Sequence, residues 1–225
     1  FQNLVKEVSN VALDVLPSSG THSGPEALAA LQAAPLGSHT VAEAVVDCVA
    51  KVRENIVLRR VGVVQVPAGG YIASYLHNKV GPSLGTLGVL LGFTAFPGLA
   101  PVSDEFADIA KRAAMHTAAA GPRYLNRDAV PEADLDRERA ILSEEALASG
   151  KKPEIVAQMV EGRLRKFYGE HVLLEQECML GEEKETVGKL VDAAGKAAGQ
   201  DNVEMSAFLR FKCGETDLGT EEVEE

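Results

Sequence analysis

Five histidines, at positions 22, 39, 77, 116 and 171, and three cysteines, at 48, 178 and 213, are the side chains of this 225-residue chain with the most chemistry to offer. Neither set is spaced for catalysis or metal binding. The histidines form no HExxH pair and the cysteines no CxxC pair. An odd number of widely separated thiols reads as buried free cysteines in a reducing compartment. DAAGKAAG, 192–199, holds a Gly-Lys pair, but without phosphate-loop spacing and with no Ser or Thr after the lysine. GxGxxG is absent, and GPSLG, 81–85, has the letters of GxSxG but leads into a strand, not into the helix that a nucleophile elbow needs. The expectation is a protein with no catalytic residue, no cofactor and no metal, which works by binding.

One histidine stands in a suggestive place. In GGYIASYLHNKV, 69–80, the residues alternate, so Tyr71, Ala73, Tyr75 and His77 share one strand face and Ile72, Ser74 and Leu76 the other. NKVGPSLG, 78–85, reads as a loop. His77 is therefore expected where a strand hands over to a loop, a place where side chains meet partners. His116 lies on a helix among alanines and reads as structural. Arg59 and Arg60 read as solvated strand arginines or core salt bridges. Arg163, Arg165 and Lys166 read either as a solvated helix face or as a surface that meets a partner.

The elements that must position these residues are legible from pattern. Helical periodicity covers 2–16, and PEALAALQAA, 25–34, is a short helix with Pro25 in its first turn. Thr40 and Glu43 form a capping box opening a helix over 41–54. Valine-rich 55–67 reads as a strand, followed by strands 71–77 and 86–93. Segment 17–25 reads as a loop. The strand 55–67 then has no evident neighbour, so its pairing partners are expected upstream of Phe1. Ser103 caps a helix through about Ala120.

Two further helices joined by SGKK form an antiparallel hairpin, with Gly150 at the end of the first and Pro153 in the first turn of the second. Ile155, Val156, Met159, Val160, Leu164 and Phe167 make the apolar stripe of the second. After a helix over 185–199, strand 203–213 places Val203, Met205, Ala207, Leu209, Phe211 and Cys213 on one face. Helices, strands, helices and a strand in that order predict an α+β fold.

Net charge is −11, from 33 acidic and 22 basic residues. Such a chain is a poor generic binder of nucleic acid or anionic membrane. No apolar run is long enough to span a bilayer. The chain opens on Phe1 without a signal-like segment, and an upstream piece is expected.

Five blocks in order resemble translation elongation factor Ts. VRENIVLRR, 52–60, resembles the family's G-E-N-x-x-x-R-R block, and YIASYLH, 71–77, its strand ending in Y-x-H. RAAMHTAAAGPRYL, 112–125, resembles its A-M-H-x-A-A-x-x-P-x-x-L helix. GKKPEIVAQMVEGRLRKFYGEHVLLEQ, 150–176, resembles its V-E-G-R-x-x-K-F helix and the strand after it. TVGKLV, 186–191, and FLRFKCGE, 208–215, resemble the closing helix and strand.

The resemblance implies a guanine nucleotide exchange factor that promotes GDP release from elongation factor Tu without covalent chemistry. It implies two small α+β subdomains with antiparallel sheets and an inserted helical hairpin. Residues 1–67 would form an N-terminal core subdomain, 68–129 with 170–215 a C-terminal one, 130–169 the hairpin, and 216–225 an acidic tail. The implied partner is elongation factor Tu, GDP-bound and nucleotide-free, with no direct nucleic acid and no membrane. The implied contact residues are His77 and the residue at Val52.

Departures from the family pattern also matter. The family carries a helical module, strands and a T-D-F motif ahead of the position where Phe1 aligns. Its glycine before E-N is Arg53 here, which puts the local turn in question. These departures leave open an exchange-inactive member serving as a structural subunit of a larger organellar assembly. VPAGGYIASYLH with its longer loop, and RFKCGE, look more like mitochondrial members. The expected compartment is the mitochondrial matrix, with chloroplast stroma or bacterial cytoplasm as alternatives.

Overall fold

The computed structural model describes residues 1–16, 21–94, 102–148, 153–180, 184–199 and 203–215. Gly150, the acidic tail 216–225 and most of the segment after strand 86–93 lie outside them. The fold is α+β, and the chain divides into two units: residues 1–102 with 203–215, and residues 103–202.

The first unit opens with α1, Gln2–Val15, and α2, Pro25–Ala33, which carries proline in its first turn. Two short strands, β2 (Pro35–Leu36) and β3 (His39–Thr40), lead into α3, Val41–Val52. The capping box forms: the Thr40 hydroxyl accepts from Glu43 N at 3.2 Å, and Thr40 N donates to the Glu43 carboxylate at 2.7 Å. Val8, Ala12, Leu31, Val41 and Val63 are among the buried residues of one core that α1, α2 and α3 share.

The valine-rich segment pairs differently from the expectation. Only β4, Gly62–Val64, is strand, and its antiparallel partner is β1, Thr21–Ser23, out of the segment read as a loop. The partner is therefore supplied from within this chain. Three residues are too few for alternation to announce a strand in sequence.

Three longer strands make the main sheet, in the order β5, Tyr71–Gly81; β6, Leu84–Thr94; and β7, Glu204–Lys212. All pairings are antiparallel. Leu91 and Phe93 of β6 are fully buried. Burial of such side chains contributes roughly 1.5–3 kcal/mol each. β4 lies against the other face of this sheet, and glycine makes that approach possible. A Cβ on Gly92 would come within 3.0 Å of Val64 and 3.1 Å of Val66, and one on Gly62 within 2.6 Å of Leu209. In β7 the alternation is interrupted: Phe93 pairs with Met205 but Gly92 with Ala207, leaving Ser206 as an extra residue. Cys213, expected to be buried, is exposed just past the strand end, whereas Cys48 and Cys178 are buried.

The second unit holds α4, Asp104–Ala120; the hairpin of α5, Glu132–Ala148, and α6, Pro153–His171; and α7, Val187–Ala197. Ser103 caps α4 by accepting from Phe106 N at 3.2 Å. Leu135, early in α5, clusters with Phe167, late in α6, which makes the hairpin antiparallel. Val156, Leu164 and Phe167 of the expected stripe are buried, but Ile155, in the first turn of α6, is 46% exposed. Arg163, Arg165 and Lys166 are exposed. The strand expected after α6 is a single helical turn, Leu173–Glu175; Val172 bridges to Tyr124 alone, and one pair does not make a ladder.

His116 is structural, as its alanine-rich setting suggests. Its Nδ1 accepts from Met179 N at 3.2 Å, so its Nε2–H donates to Gln176 Oε1 at 3.0 Å. Burial holds His116 below the usual histidine range, against the raising effect of Gln176. Burial, then Arg123, does the same for His171. Each therefore takes up its proton at lower pH when folded than in the unfolded chain, where protonation sets in below about pH 6.5. Their contribution to stability is complete above that pH and is lost as pH falls through the folded values. Urea unfolding from pH 7.5 down to 5.5 is expected to show falling stability, with a shallower fall in His116→Gln; an unchanged slope in the variant would exclude His116 as a cause.

Candidate functional site

His77 lies on β5, whose register fixes its surroundings. It pairs with Leu87 of β6, which pairs with Lys212 of β7. This is the last row of the sheet with three strands. Beyond it β5 and β6 run on as a two-stranded ribbon to a turn at Pro82 and Ser83, since Gly81 still pairs with Leu84. The segment read as a loop is thus largely strand, and His77 sits at the step from three strands to two. NKVGPSLG is rich in turn formers, but only Pro82 and Ser83 turn; the backbone ladder takes up the rest.

The ribbon is shaped by three local features. Asn78 adopts a positive φ of 47°, which asparagine tolerates better than most residues. Val80 is the extra residue of a bulge, because Lys79 pairs with Gly85 and Gly81 with Leu84; its side chain is 55% exposed. Gly85 has no alternative in this geometry. A Cβ there would lie 2.7 Å from the carbonyl oxygen of His77, a backbone atom that cannot swing away.

The His77 side chain is exposed, and that of Tyr75 is half-buried on the same face. The Tyr75 hydroxyl is 3.0 Å from His77 Nδ1. Alternation places these two side by side in the sequence, but nothing in it specifies a bond between them. Tyr75 is the site residue that sequence reasoning passes over, and its i, i+2 spacing is the signal.

Val52, the other expected contact residue, ends α3 and is 41% exposed. It and His77 occupy different elements of the same unit. The turn after Val52 forms despite the loss of glycine: Arg53 is the C-cap, left-handed at φ 59° and ψ 32°, and its N–H donates to Val49 O at 2.8 Å. The chain then runs to Arg60, which donates to Lys212 O at 3.2 Å, lies 3.8 Å from Glu215 and stacks 4.7 Å over Phe211. Arg210 grips the same Glu215 with bonds of 3.1 and 3.0 Å. Arg60 is thus a salt-bridged arginine. It fastens the segment after Val52 to the strand residue that shares His77's row.

The same unit has an apolar groove of about 460 Å3, lined by Leu4, Val8, Leu13, Ile56, Leu58 and Phe211 among others. Among the described residues no group of three or more His, Cys, Asp and Glu is placed to hold a metal ion. No described helix is long and apolar enough to cross a membrane. The arrangement offers a two-stranded ribbon with a hydrogen-bonding ring at its base and exposed aliphatic groups, which suits contact with a protein surface.

Left-handed backbone costs an ordinary residue roughly 1–2 kcal/mol. Arg53→Gly is therefore expected to raise unfolding free energy by about 1 kcal/mol in urea titrations; no gain would show that Arg53 makes compensating contacts.

Known proteins share this pattern along most of the chain. The family described as Elongation factor TS matches residues 1–215. Elongation factor Ts of Rhodospirillum centenum is 39% identical over 216 residues, which is 96% of this chain and 66% of the relative. That of Paramagnetospirillum magneticum is 37% identical over 215 residues, covering 96% and 64%. That of Rickettsia rickettsii is 34% identical over 220 residues, covering 96% and 65%. The chain thus spans just under two thirds of the length of these relatives, all of them bacterial proteins. The chain belongs to the elongation factor Ts family.

Proposed function

We propose that this member of the elongation factor Ts family promotes release of GDP from elongation factor Tu in translation elongation. It does so by binding the nucleotide-free partner more tightly than the GDP-bound one, so that nucleotide and exchange factor weaken each other by the same factor. No bond is made or broken in this scheme. The chain's own contribution is a surface complementary to one state of the partner.

The observation that carries this reading is His77 exposed at the base of a two-stranded ribbon whose register is fixed by the pairing of β5 with β6 before and after it. Backbone that is already paired has less freedom to lose on docking than a loop would, so more of its contact energy is left to favour one partner state. Val52 adds an exposed aliphatic contact at the end of α3. The subdomain division at 67/68, with 130–169 as an inserted hairpin, belongs to the same reading. So does the compartment: the mitochondrial matrix by the likeness of VPAGGYIASYLH and RFKCGE to mitochondrial members, or the bacterial cytoplasm, which the bacterial relatives favour.

Stopped-flow release of labelled GDP from the cognate elongation factor Tu tests it, using this chain and an upstream-extended form. Acceleration is expected, reduced about tenfold by His77→Ala and about threefold by Val52→Ala. No acceleration by either form would overturn the exchange reading. Acceleration unaffected by His77→Ala would move the contact elsewhere.

A further inference from the structure

Tyr75 and His77 stand two residues apart on one face of β5, with ring centroids 6.1 Å apart and planes inclined at 37°. The Tyr75 hydroxyl meets His77 Nδ1 at 3.0 Å. The tyrosine itself is seated: it pairs across the sheet with Val89, which is buried, and Val89 pairs with Arg210, which is held by Glu215. His77, two rows further out, is exposed. A half-buried ring thus reaches along the strand to an exposed one.

We propose that Tyr75 is the positioning residue of His77. Its hydroxyl donates to Nδ1, holds the imidazole in the tautomer protonated at Nε2, and leaves Nε2–H directed away from the strand as a donor. The reason is the donor inventory. A neutral imidazole has one bare nitrogen and one N–H, and the more acidic phenol makes the stronger bond by donating to the bare nitrogen. The group His77 would meet on the partner is then a hydrogen-bond acceptor, a carbonyl or carboxylate oxygen. This inference rests on the exchange reading for its consequence, but not for the pairing itself.

Two measurements separate the pairing from its consequence. In the chain labelled with nitrogen-15 histidine, His77 is expected to show a single tautomer, protonated at Nε2. Tyr75→Phe, which keeps the ring and removes the hydroxyl, should shift the Nδ1 signal and admit the second tautomer. In GDP release, Tyr75→Phe is expected to lower acceleration about three- to tenfold, the worth of one hydrogen bond, and to lower it no further in a His77→Ala background. His77→Phe, a ring without a donor, should be as impaired as His77→Ala. Unchanged His77 nitrogen signals in Tyr75→Phe would overturn the pairing. Equal losses in both backgrounds, or a fully active His77→Phe, would overturn the donor role. If the unmodified chain accelerates nothing, the exchange reading fails while the nitrogen signals still decide the pairing.

Discussion

Neighbouring groups must come close to the backbone of β6, and the first unit is arranged around that demand. β6 is paired along both edges, and its remaining free face is met by β4. Gly92 admits Val64 and Val66 at one end of the strand, and Gly85 admits the carbonyl of His77 at the other. A side chain at Gly92 would make Val64 and Val66 give way by a few tenths of an ångström, and one at Gly85 would press on the backbone of β5. The hydrophobic burial of Leu91 and Phe93 supplies the driving force, but absent Cβ atoms decide how closely the strands can come.

This close packing is transmitted to the exposed surface through β7. Arg60 and Arg210 converge on Glu215, and Arg60 also takes the carbonyl of Lys212. The three side chains are mostly shielded from solvent, so the shared carboxylate offsets the cost of burying two guanidinium groups. The segment after Val52 is thereby tied to a row that ends in His77. The two expected contact residues belong to separate elements, yet their supports meet at one strand end.

Much of this is legible in sequence because the signals are local. Thr40 with Glu43, Ser103 and Pro25 mark helix starts by side-chain chemistry that operates within one turn, and all three appear as expected. Alternation in YIASYLH puts Tyr75 and His77 on one face. Where pairing partners are distant and short, local signals fail. β1 and β4 share only three residue pairs, so neither announces itself. NKVGPSLG is rich in turn formers, and only the register of the opposite strand reveals it as ribbon. Arg53 in place of glycine threatens its turn; the helix ends in a left-handed residue all the same, because the surrounding structure requires that geometry more than arginine resists it. Resemblance singles out His77, whereas its tyrosine partner emerges only from the distance between them.

Cys213 gives the molecule a practical asymmetry. Its two companion thiols are buried, while it lies exposed with its amide bonded to the carbonyl of Thr86, beside the residue that faces His77. A maleimide dye added to the folded chain would therefore attach at one address, beside the base of the ribbon and a strand away from His77. A fluorophore there would report docking at that edge through quenching or energy transfer, without any engineered mutation and without touching the ring whose contacts are in question.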